Sequence, residues 1–324
     1  MNIHAPGVIS TPEEEAALAG FRSANKDLFQ KDDAQLYKHL AYVGGNFALG
    51  TLFAVTTPLV LFKILLGIWD GFLLFSLINV TIHHHHTHKN AAESETAKKL
   101  LDMIYLIVLP NAPKRKSRYT RAHLNHHLRP FHETDVDHHY GTQRFLRMMK
   151  NAFTAVLYFL ELTFIGAHMP GWEDDRYMNE VPLEKWNQPD YEKIKAVEGK
   201  QALKTAALQW GAFLFALYIA GAYGLFLLEA FLWGWAFPML LVKNWAHFLG
   251  QFQHYGETLL NPKISIWKRT KTFRIPSSLN YLAGGEISGH FLHHLFPELP
   301  YYKVEEARLR LLADPRLASE FAIY

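Results

Sequence analysis

Long apolar runs, separated by strongly charged stretches, constrain this chain more than any other feature. They cover Leu40–Leu66, Phe72–Ile82, Ala206–Tyr223 and Leu225–Val242. Roughly 20 apolar residues of helix cross the ~30 Å hydrocarbon layer of a bilayer, where the backbone must satisfy its own hydrogen bonds. Gly44, Gly45, Gly50 and Pro58 interrupt the first run, which a membrane helix tolerates. Lys63, near its end, has a stem long enough to snorkel to the headgroups. A break around Gly67–Gly71 is expected before the second run. That run is short and ends directly in His83, so the histidines that follow are expected on a continuation of its helix. Gly221 and Gly224 mark a tight turn between the third and fourth runs. Leu100–Leu109 is too short to span, and Ala152–His168, which carries Glu161, reads as an interfacial or partly buried helix.

These runs predict an all-α integral membrane protein. Its four transmembrane helices form two hairpins, and a cytoplasmic helical cap carries the histidines. Residues 1–39 read as a soluble lead-in, 40–310 as the membrane domain and 311–324 as a tail. Two hairpins put the N-terminus, the long middle segment and the C-terminus on one side of the bilayer. Most Lys and Arg lie there, including Lys89, Lys98, Lys99, Lys114, Arg115, Lys116, Arg118, Arg121 and Arg129. The positive-inside rule makes that side cytoplasmic, so the chain is expected in the inner (cytoplasmic) membrane.

Composition excludes several functions. The formal charge of +3, with no basic patch interleaved with aromatics, argues against nucleic-acid binding. The absence of cysteine removes disulfides, thiolate metal sites, cysteine nucleophiles and a self-contained iron–sulfur cluster. Met1–Lys38 holds no signal-peptide core.

Histidine is the outlier, with 19 copies. One cluster is His83, His84, His85, His86 and His88, in HHHHTHKN. A second is His123, His126 and His127, in HLNHH. His247 and His254 lie in NWAHFLGQFQHYGE, and His290, His293 and His294 in HFLHHLFPELP. On a helix, positions i, i+3 and i+4 share a face, so each HxxHH motif is expected to aim three imidazoles at one point. His84 and His88 do the same with two, and His247 and His254, seven apart, again share a face. About nine nitrogen ligands are too many for one zinc, which takes about four. They suit two five- or six-coordinate metals with open positions. Imidazole accepts zinc, copper, iron and nickel. Iron is favoured because the clusters adjoin membrane spans, and C–H bonds of apolar substrates need redox chemistry that zinc cannot supply.

A lone histidine is ordinarily a satisfied core residue, the reading given to His4, His39 and His168. His132, His138 and His139, close to the second cluster, read as ligands, supporting groups or surface residues. Asp135, Asp137, Glu257 and Glu286 stand near the motifs, either as acceptors for the second N–H of a bound imidazole or as solvated loop acids.

This set resembles the membrane fatty-acid desaturase and hydroxylase superfamily, over roughly residues 40–310. His84 (or His83) with His88 matches its first box, His123, His126 and His127 its second, and His290, His293 and His294 its third. His254 matches the lone histidine after the last span, with His247 and Asn244 as alternates. HFLHHLFPELPYYKVEEA is similar to the last box of acyl desaturases. QHYGE and a first box ending in HK are similar to alkane monooxygenases, although His85 stands where those carry Glu. NWAH is similar to the Asn and His of stearoyl-CoA-type desaturases.

The resemblance implies a di-iron, O2-dependent oxidoreductase that attacks an unactivated C–H bond of a fatty acid or acyl lipid. Desaturation leads, ahead of hydroxylation and of decarboxylation to a 1-alkene. Substrate geometry, not the ligand list, separates these outcomes. It also implies an external electron donor: a ferredoxin, rubredoxin or cytochrome with its reductase. No HPGG segment of a cytochrome b5 domain occurs in the sequence. The basic stretch 114–121 is either the docking surface of such a donor or a loop facing anionic lipid. Phe72, Phe75, Trp233 and Trp235 are candidates to line an apolar substrate tunnel, against packing bulk or lipid-facing residues.

Two other classes compete. A metal transporter or sensor needs charged residues through several spans, and Glu229 alone is expected to serve there. A zinc hydrolase needs a motif such as HExxH, which does not occur.

Overall fold

The computed structural model describes residues 12–108, 123, 127, 204, 207, 208, 210–242 and 273–318. Every element among them is helical. α1 covers Pro12–Ala24, α2 Asp33–Thr56 and α3 Val60–Asn79, which continues directly into a π-helical segment, Val80–Thr87. α4 covers Glu95–Val108, α5 Trp210–Ala220 and α6 Gly224–Val242. After these come α7 (Ser277–Leu282), α8 (Glu286–Leu295), α9 (Val304–Ala313) and α10 (Pro315–Ala318).

Among the described residues, two helices, Val60–Thr87 and Gly224–Val242, are long and apolar enough to cross a membrane. The 28 residues of Val60–Thr87 extend about 42 Å at ~1.5 Å per residue, beyond the ~30 Å hydrocarbon layer. Exposure along this helix is graded. Val60, Leu61, Phe62 and Leu65 are exposed, whereas Asp70 through Leu77 are buried. Leu214, Phe215, Tyr218, Ile219, Tyr223 and Leu225 are exposed around the turn between α5 and α6. So much exposed apolar surface is unfavourable in water and suits lipid.

The first hairpin turns elsewhere than the glycines suggest. α2 ends at Thr56 and α3 begins at Val60, so the break falls at residues 57–59 and residues 67–71 are helical. Pro58 explains this. It disfavours helical backbone at the residue before it, and Thr57 is extended at φ −76, ψ 137. The glycines instead admit α6. A Cβ at Gly67 collides with the Phe237 ring, and one at Gly71 lies 3.1 Å from the Pro238 carbonyl oxygen. Gly221, at φ +48, makes the turn expected before α6.

Moving the break places Lys63 and Asp70 inside α3, so Glu229 is not the lone charged group of the apolar helices. Lys63 Nζ donates to Glu229 Oε2 at 2.6 Å, joining α3 to α6. Asp70 is fully buried, and its Oδ2 accepts from Thr51 Oγ1 of α2 at 3.2 Å. These groups pair between packed helices, which is unlike a polar path for an ion.

At the other end of α3, several segments join. The Asp32 carboxylate caps α2 by accepting from the Ala34 and Gln35 N–H groups at 2.9 and 3.3 Å. Asp33 accepts from the N–H groups of Glu93 and Ser94 at 2.8 and 3.0 Å. One apolar cluster unites α1 (Phe21), the following turn (Leu28), α8 (Phe291, Leu292, Leu295), Phe296 and α9 (Val304, Ala307, Leu311). The N-terminal segment thus packs directly against the helix that carries the third histidine motif.

Candidate metal centre

The first histidine motif lies on the π segment, and that local geometry decides which way each ring faces. The His88 N–H donates to the His83 carbonyl at 2.8 Å, an i to i−5 bond in place of the α-helical i−4. His83, His84 and His88 all face one cluster. The His83 ring stacks on His123 at 4.4 Å, His84 meets His293 edge-on at 5.2 Å, and His88 meets His127 and His293 at 4.7 Å each. His85 and His86 turn away towards Asp102 of α4. Lys89 then takes left-handed backbone at φ +55, and the Asn90 N–H donates to the His84 carbonyl at 2.8 Å.

The third motif is set by the turn before α8. Gly284 and Gly285 adopt φ +67 and +78, conformations open to glycine, and a Cβ at Gly285 comes within 2.8 Å of the Tyr301 carbonyl. Asn280 Oδ1 accepts from the Ser288 N–H at 2.8 Å and so caps the first turn of α8. Val304 fills the space that a side chain at Gly289 would need, which fixes how α8 lies on α9.

His123 and His127 complete the constellation. His123 Nε2 lies 3.2 Å from His293 Nε2, and His127 Nε2 lies 3.0 Å from both. With His88, these four offer one donor atom each, all within 4.8 Å of one another. The third motif does not converge on one point. His293 joins this group, while His290 and His294 face each other with Nε2 atoms 3.1 Å apart, and His294 stacks on His127 at 4.5 Å.

Three mutually close ring nitrogens cannot all be joined by good hydrogen bonds, because a neutral imidazole carries only one N–H. Adjacent nitrogens on a single cation with bonds of about 2.1 Å lie roughly 3.0–3.4 Å apart, which is the spacing seen here. Burial, with neighbouring His294, His123, His293 and His88, holds the His127 imidazole well below its usual range. It is therefore neutral and offers a lone pair, as a metal ligand must. The donor set fits metal held by imidazole.

The family model for fatty acid desaturase matches residues 40–320. The chain belongs to the fatty acid desaturase family. No curated protein matches it. The matched stretch contains every histidine motif and both membrane-length helices. Family membership makes this desaturase-family protein an oxidoreductase of lipid, associated with membrane and served by electron transfer.

Of the residues singled out in the sequence, His83, His84, His88, His123, His127, His290, His293 and His294 come together. His126, His247, His254, Asn244, Asp135, Asp137, Glu257 and the side chain of Glu286 lie outside the described residues, as do residues 114–121 and 152–168. Phe75 packs with Ile82, Tyr105, Met239 and Trp235, next to the π segment. Phe72 packs with Val43, Leu77 and Leu282 in a separate cluster. Trp233 lies towards the opposite end, its ring 5.7 Å from Lys63 Nζ.

Three neighbours of the motifs escaped the sequence reading. The Tyr301 ring lies 5.1 Å from that of His84 and 4.7 Å from His39. His39 is buried, as a core histidine should be, but neither of its nitrogens has a hydrogen-bond partner among the described residues. Asn90 and Asp102 are the others. Asn90, two positions beyond His88, was the most legible, since a polar residue there has to find partners if the turn is buried.

Proposed function

We propose that this protein is a di-iron, O2-dependent desaturase of a fatty acid or acyl lipid, with its active site at the cytoplasmic face of the inner membrane. The convergence of His88, His123, His127 and His293, at the end of a membrane-length helix in a desaturase-family chain, carries this reading. His84, His88, His123, His126, His127, His254, His290, His293 and His294 are the assigned ligands. His83, His247 and Asn244 are alternates, and Asp135, Asp137, Glu257 and Glu286 are candidate acceptors behind the rings. When bound, two irons supply the O2-dependent oxidising power that removes hydrogen from an unactivated C–H bond.

The chain's own residues then do three things. The His127 ring, held well below its usual range by burial and its histidine neighbours, presents a neutral nitrogen, and buried His84, His123, His290, His293 and His294 are held in place by their surroundings. The apolar cluster of Phe75, Ile82, Met239 and Trp235 supports an acyl tail that enters from the bilayer. Four spans in two hairpins keep that tail in lipid while its reacting carbon meets the histidines. Electrons come from a ferredoxin, rubredoxin or cytochrome, with the basic stretch 114–121 as its docking surface.

The test is expression in a host fed fatty acids, followed by mass spectrometry of lipids and hydrocarbons and by metal analysis. Two irons per chain and a product two hydrogens lighter, with its carbon count kept, are expected. An alcohol or a 1-alkene one carbon shorter would replace desaturation with another oxidation. One zinc per chain would sink the oxidase reading.

A further inference from the structure

The π segment divides its histidines between two faces, and the outer face carries a second constellation. His85 Nε2 and His86 Nε2 each lie 3.3 Å from the same oxygen, Asp102 Oδ1 of α4. The donor atoms of all three residues lie within 4.8 Å of one another. We propose that His85, His86 and Asp102 form a further metal site, distinct from the inner cluster, for a divalent first-row transition-metal ion.

Three observations carry this. The first is spacing. At 3.3 Å both contacts exceed the usual N–H···O range of ~2.7–3.2 Å. Neighbouring donors around a four-coordinate ion, with bonds of about 2.0–2.1 Å, lie roughly 3.3–3.4 Å apart. The second is donor chemistry. Two imidazoles and one carboxylate suit zinc, cobalt, nickel or ferrous iron, whereas magnesium and calcium prefer all-oxygen shells. The third is access with support. The His85 and His86 side chains are 11% and 5% exposed, and the Asp102 side chain is 52% exposed. The imidazoles are held by their surroundings, with His86 against the Tyr105 ring at 4.8 Å and against His85 at 4.5 Å. The carboxylate opens to solvent, so water completes the shell and the ion exchanges freely, unlike one held among buried His123, His290 and His293. Tyr105 and Asp102 are three apart on α4 and share its face. A bound ion therefore bridges α4 to the π segment that carries His84.

This site does not depend on the desaturase reading. The test uses full-length, iron-loaded protein in detergent, freed of loosely held metal and titrated with Co2+, with iron and cobalt counted by mass spectrometry. Cobalt absorption in the visible reports its ligand field. Wild type should take up one cobalt per chain beyond its iron. Asp102→Asn and His85→Gln should each weaken that uptake at least tenfold and leave iron content unchanged. The proposal is overturned if wild type binds no extra cobalt or if both variants retain it fully. It is also overturned if both variants lose iron together with cobalt, which would make these residues part of the inner cluster.

Discussion

Asn90 donates from its side-chain nitrogen to the Leu299 carbonyl at 2.8 Å, bridging 209 residues of sequence. The same nitrogen donates to the Pro297 carbonyl, also at 2.8 Å, and Asn90 is 1% exposed. One carboxamide thus ties the segment after the first histidine motif to the segment after the third. Asn90→Ala leaves two carbonyls without this donor in a buried place, at a cost of about 1–3 kcal/mol. Its thermal midpoint in detergent should fall, and its iron content and turnover should fall with it. Wild-type iron content in Asn90→Ala would show that this bridge does not position the histidines.

His293 and His39 separate ligand from bystander. His293 places its Nε2 within 3.0–3.2 Å of His127 and His123, so His293→Ala removes a donor from the cluster. Activity should vanish and bound iron should drop. His39 sits between the rings of Tyr281 and Tyr301, at 4.8 and 4.7 Å. His39→Ala opens a cavity and should lower stability by about 1–3 kcal/mol, with iron stoichiometry intact. Full iron and turnover in His293→Ala would dismantle the ligand assignment.

The buried imidazoles also set a pH dependence. Burial first, and then the neighbouring histidines, push His127 well below its ordinary value of 6.5. As pH falls from 6.5 towards the lower folded value, the unfolded chain binds a proton that the folded chain does not, so stability declines over that window. The slope for one such group is at most ~1.4 kcal/mol per pH unit. Iron-free protein should therefore show a thermal midpoint that is level near pH 7.5 and falls between pH 6.5 and 5. His127→Gln should flatten that fall. An identical decline in wild type and His127→Gln would remove this histidine from the account.

Only two of the four expected spans are found among the described residues. Apolar runs and histidine spacing made the helix Gly224–Val242, the turn at Gly221 and the continuation of the second apolar run into the first histidine motif legible in the sequence. Two features were not. Gly67 and Gly71 looked like a helix break, yet the chain turns at Pro58, because a glycine also serves where another helix must come close. Gly71→Val tests that reading, since a side chain there meets the Pro238 backbone and should cost about 1–3 kcal/mol. Thermal stability unchanged in Gly71→Val would mean α6 does not pack there. The second feature was the π segment. A period of 3.6 cannot reveal a local i to i−5 bond, so the inward turn of His83 and the outward turn of His85 and His86 appear only in three dimensions.

Topology is the last prediction, because a shared metal centre requires all the motifs on one side. Val60–Thr87 and Gly224–Val242 are each long enough to cross the bilayer. If both cross, with α2 and α5 as their hairpin partners, the histidine motifs lie on the cytoplasmic side and the α5–α6 turn on the other. The sequence has no cysteine, so single cysteines can be read without background. Thr96 at the start of α4 and Ser278 in α7 are exposed on the histidine side, and Tyr223 is 75% exposed at the α5–α6 turn. Tyr223→Cys should react with a membrane-impermeant thiol reagent in intact spheroplasts. Thr96→Cys and Ser278→Cys should react only after the membrane is opened, or in inverted vesicles. Labelling of Thr96→Cys and Tyr223→Cys from the same side would break the two-hairpin arrangement. Labelling of Thr96→Cys and Ser278→Cys from opposite sides would separate the first histidine motif from the third, and no common metal centre would survive that result.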